Sequence, residues 1–271
     1  MAQAAGHAPV SVVIAARNAA ALIGDCVASV AWADEVLVVE NDSTDDTVGA
    51  ARRAGADVFS HPFVTIGRQR NAAIERARNE WILVVDADER CTPEVASEVR
   101  ALLDGAPPHD AYRIGRRNYF LGREIRHGGW ERDRPVRLFR RTLRYDERPV
   151  HEHVMTRGPV GALRARLVHR PYGSLDEYFE KLDRYSRWWA EQNHAVGRRA
   201  TALAVIVRPP ARFVTMYVLR GGFLDGARGA LVACLGAISV AAKYARLWEL
   251  GLRSRSGDRS LDGAPRGSAA D

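Results

Sequence analysis

Two aspartates, Asp86 and Asp88, directly follow the apolar run 81–85 in the sequence WILVVDAD. Residues two apart in an extended segment point to the same side, so we expect the two carboxylates to lie close together and to repel each other. A divalent cation would offset that charge, because Mg²⁺ and Mn²⁺ prefer carboxylate oxygen and often share it with substrate phosphates. The simpler alternative is a solvated turn, or acids that cap a helix before Thr92. Glu89 and Arg90 are expected only to shape the turn into the Thr92 cap.

Strands and helices are predicted to alternate along the first hundred residues. That alternation predicts an α/β fold, a mostly parallel sheet flanked by helices, in which ligands bind beyond the carboxyl ends of the strands. Residues that commonly cap helices follow the predicted strands and mark where the helices should begin. Asn18 is the predicted N-cap of the first helix, Ser43 or Thr44 that of the second, and Thr92 that of the helix after the fourth strand. The β-branched and apolar runs that predict the strands are 10–15, 35–40, 56–60 and 81–85.

Two further groups at the ends of these elements could bind a nucleotide. Glu40 ends the second predicted strand, where a carboxylate can accept hydrogen bonds from a base or a ribose. Arg68, Arg70 and Asn71 open a helix predicted over residues 67–78, whose free N–H groups and arginines suit a phosphate. A solvated basic face explains this second stretch equally well.

Taken in order, these elements resemble the family 2 glycosyltransferases, which have the GT-A fold, a Rossmann-like nucleotide-sugar-binding fold. The more specific resemblance is to the lipopolysaccharide core glucosyltransferase branch, and it covers residues 9 to 252. The stretches that carry it are 31–36 (AWADEV), 85–90 (VDADER), 138–141 (LFRR), His151-Glu152 and 222–226 (GFLDG).

The resemblance implies a nucleotide-sugar donor site, in which Glu40 contacts the base or ribose and Asp86 the ribose or a metal-bound water. Arg68 or Arg70 would lie in the pyrophosphate region. The sequence departs from the family at Glu40, where an aspartate is usual, and in the first loop, which leaves the base of the donor open. The implied donor-binding residues are Ala16, Asn18, Glu40, Asp42, Arg68, Arg70, Asn71 and Asp86.

The resemblance also implies a metal, Mn²⁺ or Mg²⁺, bound by Asp88 with His151 as a second candidate ligand. An inverting transfer needs a base for the acceptor hydroxyl. Asp133 occupies the family's position for it, just before the Arg-Leu-Phe-Arg stretch, and Glu131 is the reserve candidate. Alternatively, both acids only pair with neighbouring arginines. The other active-site candidates are Trp130, Arg137, Arg140 and Glu152.

The chain is predicted to have a catalytic domain over 9–170, a helical region over 171–252 and a disordered tail over 253–271. Ser174 begins a capping-box pattern at the start of the helical region. Residues 202–252 are apolar and basic, which is typical of helices on an anionic membrane surface and fits a lipid-linked acceptor. The alternative is that these helices cover the sheet. The longest apolar run, 231–242, is shorter than the roughly 20 residues that span a bilayer.

Composition indicates a globular protein of a reducing compartment. The 271 residues carry a formal charge of +7, and the three cysteines, Cys26, Cys91 and Cys234, lack metal-ligand spacing. The amino terminus lacks the pattern of a signal peptide. We therefore expect a cytoplasmic protein. The resemblance implies an enzyme, peripheral at the inner face of the cytoplasmic membrane, that transfers a hexose, with UDP-glucose as the expected donor, to a lipid-linked saccharide acceptor such as the inner core of lipopolysaccharide.

Three other functions are compatible with parts of the sequence. A sugar-phosphate nucleotidyltransferase can share the fold, but it usually has a Gly-rich phosphate loop after the first strand, and residues 15–18 (AARN) lack one. Another surface-polysaccharide glycosyltransferase would use a different donor. The positive charge suggests nucleic-acid binding, but the acids cluster where phosphates would be repelled, so no nucleic-acid partner is predicted.

Overall fold

A computed structural model describes the backbone of residues 8–148 and 152–262, and the side chains up to residue 254. The described chain divides into two compact units. The first contains residues 8–126, 130–148 and 152–171 and includes the sheet, and the second contains residues 127–129 and 172–262 and is helical.

One mixed sheet runs through the first unit, with strand order β3-β2-β1-β4-β8-β6-β9-β5 and β7 paired to β6. The first four strands in this order are parallel, and β8 is antiparallel to both β4 and β6. The nine strands of the described residues are β1 (Val10–Ala16), β2 (Glu35–Glu40), β3 (Asp57–Ser60), β4 (Trp81–Val84), β5 (Glu89–Arg90), β6 (Ala111–Phe120), β7 (Arg123–Ile125), β8 (Val136–Arg140) and β9 (Gly161–His169).

Four helices belong to the first unit and three to the second. Two α-helical ends are extended by other geometry, a π-helical turn at Thr215–Leu219 and a 3₁₀ turn at Gly222–Asp225. The α-helices are α1 (Ala20–Ser29), α2 (Thr47–Arg53), α3 (Ile66–Arg76), α4 (Pro93–Asp104), α5 (Leu175–Ala195), α6 (Ala202–Val214) and α7 (Gly226–Asp262).

The core lies on both faces of the parallel strands. Alternate residues of β1 point to opposite faces, so Val12 packs in the layer of α1 and α4 while Val13 packs in the layer of α3. Strands covered on both faces are apolar throughout, which is why β1 and β2 appear in the sequence as nearly continuous apolar runs. The predicted α/β fold is confirmed, and antiparallel strands extend the sheet beyond β4.

The predicted caps of the first two helices were wrong. Asn18 does not cap α1; instead Thr47 accepts a hydrogen bond from the Ala19 backbone N–H (2.7 Å) and Asp45 accepts one from Ala20 (3.0 Å). Helix α2 starts at Thr47, later than a cap at Ser43 or Thr44 would allow. The predictions failed because they sought each cap next to its own helix. Here the side chains of Asp45 and Thr47, at the start of α2, accept hydrogen bonds from the first N–H groups of α1. The caps predicted at Thr92 and Ser174 are confirmed.

The second unit contains α5, α6 and α7. Helix α7 continues to Asp262, into the tail for which no regular structure was expected. At the start of that tail Arg253 pairs with Glu249 (2.6 Å) and Ser254 bonds to the Leu250 carbonyl (3.0 Å). The remainder of that tail lies outside the described residues. By length and composition, the helical stretches 202–219 and 222–254 could cross a membrane, so the shortness of the run 231–242 does not exclude a spanning helix.

Candidate active site

Asp86 lies just past the carboxyl end of β4 and is surrounded by arginines. Its carboxylate accepts hydrogen bonds from Arg70 of α3 and Arg137 of β8, and from Arg116 of β6 at 2.9 Å. The sheet order explains this arrangement, because β8 lies next to β4 and β6 lies next to β8. Three guanidinium groups therefore balance the charge of Asp86.

Burial of Asp86 would by itself raise its pKa, since a desolvated carboxylate is costly. The positive charges of Arg137, Arg70 and Arg116 outweigh burial and hold the pKa of Asp86 well below its usual range. Burial lowers the pKa of Arg70 and Arg137, but the acidic groups around them, of which Asp86 has the largest effect, together more than reverse it, and both pKa values lie above the ordinary value. All four groups are therefore charged at neutral pH.

Glu89 is a second centre of the same cluster, and the expectation that it only shapes the turn was wrong. Its side chain is fully buried and accepts hydrogen bonds from Arg116 (2.5 Å), from Arg137 (3.0 Å) and from the backbone N–H of Asp86 (2.8 Å). The last bond closes the turn after β4 and positions the Asp86 backbone. In the sequence, the signal for such a turn is a second acid three residues after the acid that ends the strand, as Glu89 follows Asp86.

Asp88 does not share the arginines of Asp86. Strand β4 ends at Val84 and the chain turns at residues 87–88, so Asp86 and Asp88 do not lie in the extended segment from which their pairing was predicted. Instead, Asp88 Oδ1 lies 3.6 Å from Nε2 of His169, the last residue of β9. His169 was missed in the sequence, although it ends an apolar strand in the same way as the aspartates do.

The environment of His169 fits a metal ligand. Asn118 donates through its amide nitrogen to the Trp130 carbonyl (2.8 Å), which leaves its Oδ1 to accept from His169 Nδ1 at 2.6 Å. Nδ1 is then the donor in this bond, and Nε2 is the ring nitrogen on the side of Asp88. Metal-binding histidines are commonly oriented by such a partner on the other ring nitrogen.

The chemistry of this pair suits Mn²⁺ or Mg²⁺ bound together with phosphates. Among the described residues no group of three or more His, Cys, Asp and Glu side chains could hold a metal ion. Mg²⁺ usually takes one or two carboxylates and completes its shell with water and substrate phosphate, so two protein ligands are enough. His151, the other candidate ligand, lies outside the described residues.

Asp133 is joined to the cluster by Arg116. The guanidinium of Arg116 donates through Nη1 to Asp133 (2.7 Å), through Nε to Glu89 and through Nη2 to Asp86. The Asp133 side chain is 41% exposed, in contrast to the buried Glu89. A single arginine therefore connects a solvent-accessible carboxylate with the buried centre of the site.

Glu131 and Trp130 lie in the 3₁₀ turn Trp130–Arg132, just before Asp133. Glu131 accepts a hydrogen bond from Arg132 at 3.2 Å. The Trp130 ring packs edge-on against Phe120 with centroids 6.1 Å apart, and its carbonyl binds Asn118. Trp130 thus holds β6, the strand that carries Asn118, the hydrogen-bond partner of His169.

The loops after β1 and β2 are bound to each other at the same edge of the sheet. Ala16 and Glu40 are paired residues at the ends of the two strands. Buried Glu40 accepts a hydrogen bond from the Ser43 N–H (3.2 Å), while Asn18 accepts one from the Thr44 N–H (2.8 Å). These bonds hold Glu40 and Asn18, two of the predicted donor-binding residues, at the same edge of the sheet.

Asp42 and Asn18 have positive φ angles, 46° and 48°, which aspartate and asparagine tolerate better than most residues. Asp42 is exposed, whereas the residue before it, Asn41, is buried. Sequence reasoning missed Asn41, whose side-chain oxygen accepts a hydrogen bond from Gln69 of α3 at 2.8 Å. That bond ties the β2 loop to the first turns of α3.

The predicted phosphate-binding residues separate in the structure. Arg70 points into the Asp86 cluster and also binds Glu152, whereas Arg68 is exposed and pairs with Glu147 at 2.9 Å. Asn71 exchanges two hydrogen bonds with the Tyr145 backbone, at 3.0 and 2.9 Å. Arg70 and Glu152 therefore join the site, and Asn71 supports it by holding the chain.

Arg140 lies away from the site, which corrects its selection as an active-site candidate. Because β8 is antiparallel to β4, Arg140 pairs with Trp81 at the amino end of β4, opposite to the end that carries Asp86. There it binds Glu80 and stacks on the Trp81 ring at 4.3 Å. Arg137, three residues earlier on β8, lies at the end of the sheet that carries the site.

The comparisons with known proteins assign the family. Residues 11–166 match the family model described as Glycosyl transferase family 2, which is more than half of the 271 residues. The chain belongs to glycosyl transferase family 2 and is a glycosyltransferase. The resemblance drawn from the motifs at the strand ends is confirmed.

The chain is 29% identical over 252 residues to the lipopolysaccharide core biosynthesis glycosyltransferase LpsC of Rhizobium meliloti (strain 1021), covering 88% of this chain and 93% of that relative. Among solved structures, S. aureus TarS 1–349 in complex with UDP aligns over 97% of this chain and 94% of its own, with 16% identity and a TM-score of 0.48. Glucosyl-3-phosphoglycerate synthase of Mycobacterium tuberculosis, in complex with Mn²⁺, UDP and glucosyl-3-phosphoglycerate, aligns over 42% of this chain and 45% of its own, with 25% identity and a TM-score of 0.36.

Proposed function

We propose that the protein is an inverting, metal-dependent hexosyltransferase that moves glucose from UDP-glucose to a lipid-linked saccharide, such as the inner core of lipopolysaccharide. Family membership supports the reaction class, and the similarity to LpsC supports the acceptor class. One structural observation carries the proposal: Arg116 joins the exposed carboxylate of Asp133 to Asp86 and to the buried Glu89.

The donor side of the site is formed by the edge that carries Glu40, Asn18 and Asp86. Glu40 and the bound loops would recognise the nucleoside, and Asp88 and His169 would hold Mn²⁺ or Mg²⁺ beside the diphosphate. When bound, the metal neutralises the charge of the departing nucleoside diphosphate as a Lewis acid. The arginine cluster keeps Asp86 ionised and fixes the turn that carries Asp88.

Asp133 is the proposed base. Arg116 binds its Oδ2, and no other hydrogen bond to this carboxylate is present among the described residues, so Oδ1 is available to an acceptor hydroxyl. The bond to Arg116 fixes the orientation of the carboxylate. In an inverting transfer the hydroxyl loses its proton to this base as it attacks the anomeric carbon from the face opposite the leaving diphosphate.

A lipid-linked acceptor implies a reaction at a membrane. The second unit has long apolar helices interrupted by arginines, which supports a peripheral position at the inner face of the cytoplasmic membrane. A surface-polysaccharide glycosyltransferase with another donor would share this site. Only the identities of the donor and the acceptor would distinguish it from the proposed enzyme.

The test is a thermal shift with UDP, GDP and ADP, each with and without Mn²⁺, followed by an assay of UDP release from UDP-glucose. Ligand at 100 times its Kd stabilises the folded state by about 2.7 kcal/mol, so binding is visible as a higher Tm. We expect a shift with UDP that depends on Mn²⁺ and is lost in Asp88→Asn. A larger shift with GDP, or a UDP shift that is indifferent to metal, would contradict the donor and metal assignments. Pyrophosphate release from UTP and a sugar phosphate would instead favour a nucleotidyltransferase.

A further inference from the structure

Strands β6 and β9 lie side by side and carry different side chains on their two faces. Their register pairs Asn118 with His169, whose side chains are bonded at 2.6 Å on the face that belongs to the candidate site. The next residues along the chain, Tyr119 and Arg170, face the other way, because successive side chains of an extended segment alternate. The Arg170 guanidinium accordingly lies over the Tyr119 ring, with its Cζ 5.8 Å from the ring centroid.

Two further arginines share this second face. Arg117 donates through Nη2 to the Tyr119 hydroxyl at 3.1 Å, and its Cζ is 6.0 Å from the centroid of the same ring. On β9, Arg166 is paired with Gly115 and lies along that glycine, where an added Cβ would be 3.3 Å from the Arg166 Cγ. Arg117, Tyr119, Arg166 and Arg170 together form what we call the arginine face of the first unit.

The acids near the arginine face balance only part of its charge. Glu124 of β7 pairs with Arg117 at 3.3 Å, but it also pairs with Arg126 at 3.2 Å. In the part of the chain that the structure describes, the exposed Arg170 and the half-buried Arg166 have no carboxylate partner. A guanidinium whose N–H donors are not engaged suits a carboxylate or a phosphate, which it binds through two parallel hydrogen bonds.

Arg170 is directly connected to the turn that carries Asp88. Its backbone N–H donates to the Asp88 carbonyl at 3.0 Å, and it follows His169 in the chain. Its side chain nevertheless leaves the strand on the side opposite to His169. A diphosphate held with a metal by Asp88 and His169 would therefore lie on the other side, which leaves the acceptor as the substrate that can reach Arg170.

We propose that Arg170, held in place by Tyr119 and helped by Arg117, binds an anionic group on a sugar of the acceptor other than the one that reacts. The group is a phosphate or a carboxylate, selected by charge complementarity with the arginine face. The inference rests on the proposed function, because it takes a saccharide as the acceptor and places the metal at Asp88 and His169. Contacts to a remote part of a substrate can orient the reacting hydroxyl.

The experiment measures binding of a soluble acceptor fragment, the deacylated inner-core oligosaccharide of lipopolysaccharide, to the full-length protein by isothermal titration calorimetry. The intact fragment is compared with a dephosphorylated sample, a sample with reduced carboxyl groups, and a sample treated in both ways. The variants are R170Q and R170K, and R52Q removes an exposed arginine of α2 as the matched control. Each titration is made with and without UDP and Mn²⁺, and circular dichroism verifies the fold of each variant.

We expect R170Q to weaken binding of the intact fragment about tenfold, the loss expected for one hydrogen-bonded contact to a charged group. R170K keeps the charge without the paired donors and should lose less, and R52Q should bind as the wild type does. Removal of the anionic group that Arg170 binds should abolish the difference between wild type and R170Q. Whether dephosphorylation or carboxyl reduction does so identifies that group.

Failure of the wild type to bind the intact fragment, or equal affinities of R170Q and R52Q, would overturn the proposal. So would a loss in R170Q that persists with the doubly treated fragment. If R170Q instead loses the Mn²⁺-dependent thermal shift with UDP, Arg170 supports the metal-binding turn and not the acceptor. If it weakens binding only to phosphatidylglycerol vesicles, the arginine face meets a membrane. UDP release from UDP-glucose is assayed separately, so that failure of this inference and failure of the proposed function are distinguishable.

Discussion

Replacing Asp86 with asparagine removes the carboxylate that bonds to the three arginines of the cluster, the buried Arg70 and Arg137 and the partly buried Arg116. Its side chain is 25% exposed, and removal of one partner from a buried ion-pair network typically costs about 3–5 kcal/mol, because the opposite charges remain desolvated. Asparagine keeps one oxygen acceptor, so we expect the lower end, about 3 kcal/mol. For a unit of this size that corresponds to a Tm lower by roughly 6–12 °C.

The pH dependence gives a sharper test of the same change. The folded-state pKa of Asp86 is depressed, so its stabilisation is complete above the unfolded pKa of about 3.9 and is lost as pH falls through the folded value. The unfolding free energy of the wild type should therefore exceed that of Asp86→Asn by a constant amount between about pH 5 and about pH 8. This difference should shrink below about pH 4.

The assay is urea unfolding of both proteins across this pH range, with Asp183→Asn as the matched control. Asp183 also binds two arginines, Arg187 and Arg246, but it is 53% exposed, so its removal should matter far less. A loss in Asp86→Asn no larger than that of the control would refute the reasoning. So would a difference between the wild type and Asp86→Asn that grows as the pH falls below about 4.

Three further outcomes follow from the site. Asp133→Asn should lower kcat by about 10²–10⁴ while UDP binding is unchanged, and Glu131→Gln should change kcat little; the reverse order would transfer the role of base to Glu131. His169→Ala should lose the Mn²⁺-dependent part of the UDP thermal shift but keep its fold by circular dichroism, and an unchanged shift would exclude His169 as a ligand. Arg140→Gln should leave the KM for the donor unchanged in steady-state kinetics, since Arg140 lies at the other end of β4; a raised KM would contradict that placement.

Local pattern was enough to predict the parallel half of the sheet and the edge that carries the site. Apolar runs of strand length marked β1, β2 and β4, and the polar residues after them, among them Glu40 and Asp86, come together at that edge because the strands are parallel. The caps at Thr92 and Ser174 were predictable because each bonds within its own helix.

The remainder depends on pairing between distant segments, which local pattern does not encode. His169 reaches Asp88 only because β9 pairs with β6 and β5, and the antiparallel register of β8 decides that Arg137 enters the site while Arg140 does not. The arginine cluster was missed for the same reason, since its members come from α3, β6 and β8. A metal was therefore expected to offset both aspartates, whereas arginines offset the charge of Asp86.

The most direct test of the central claim is the stereochemistry of the product. Wild-type protein is incubated with UDP-α-glucose, Mn²⁺ and a lipopolysaccharide inner-core acceptor, and the anomeric proton of the transferred sugar is observed by NMR. An inverting transfer, with Asp133 as base and no covalent intermediate, predicts a β-linked glucose and loss of the product in Asp133→Asn. An α-linked product, or undiminished transfer by Asp133→Asn, would contradict the account.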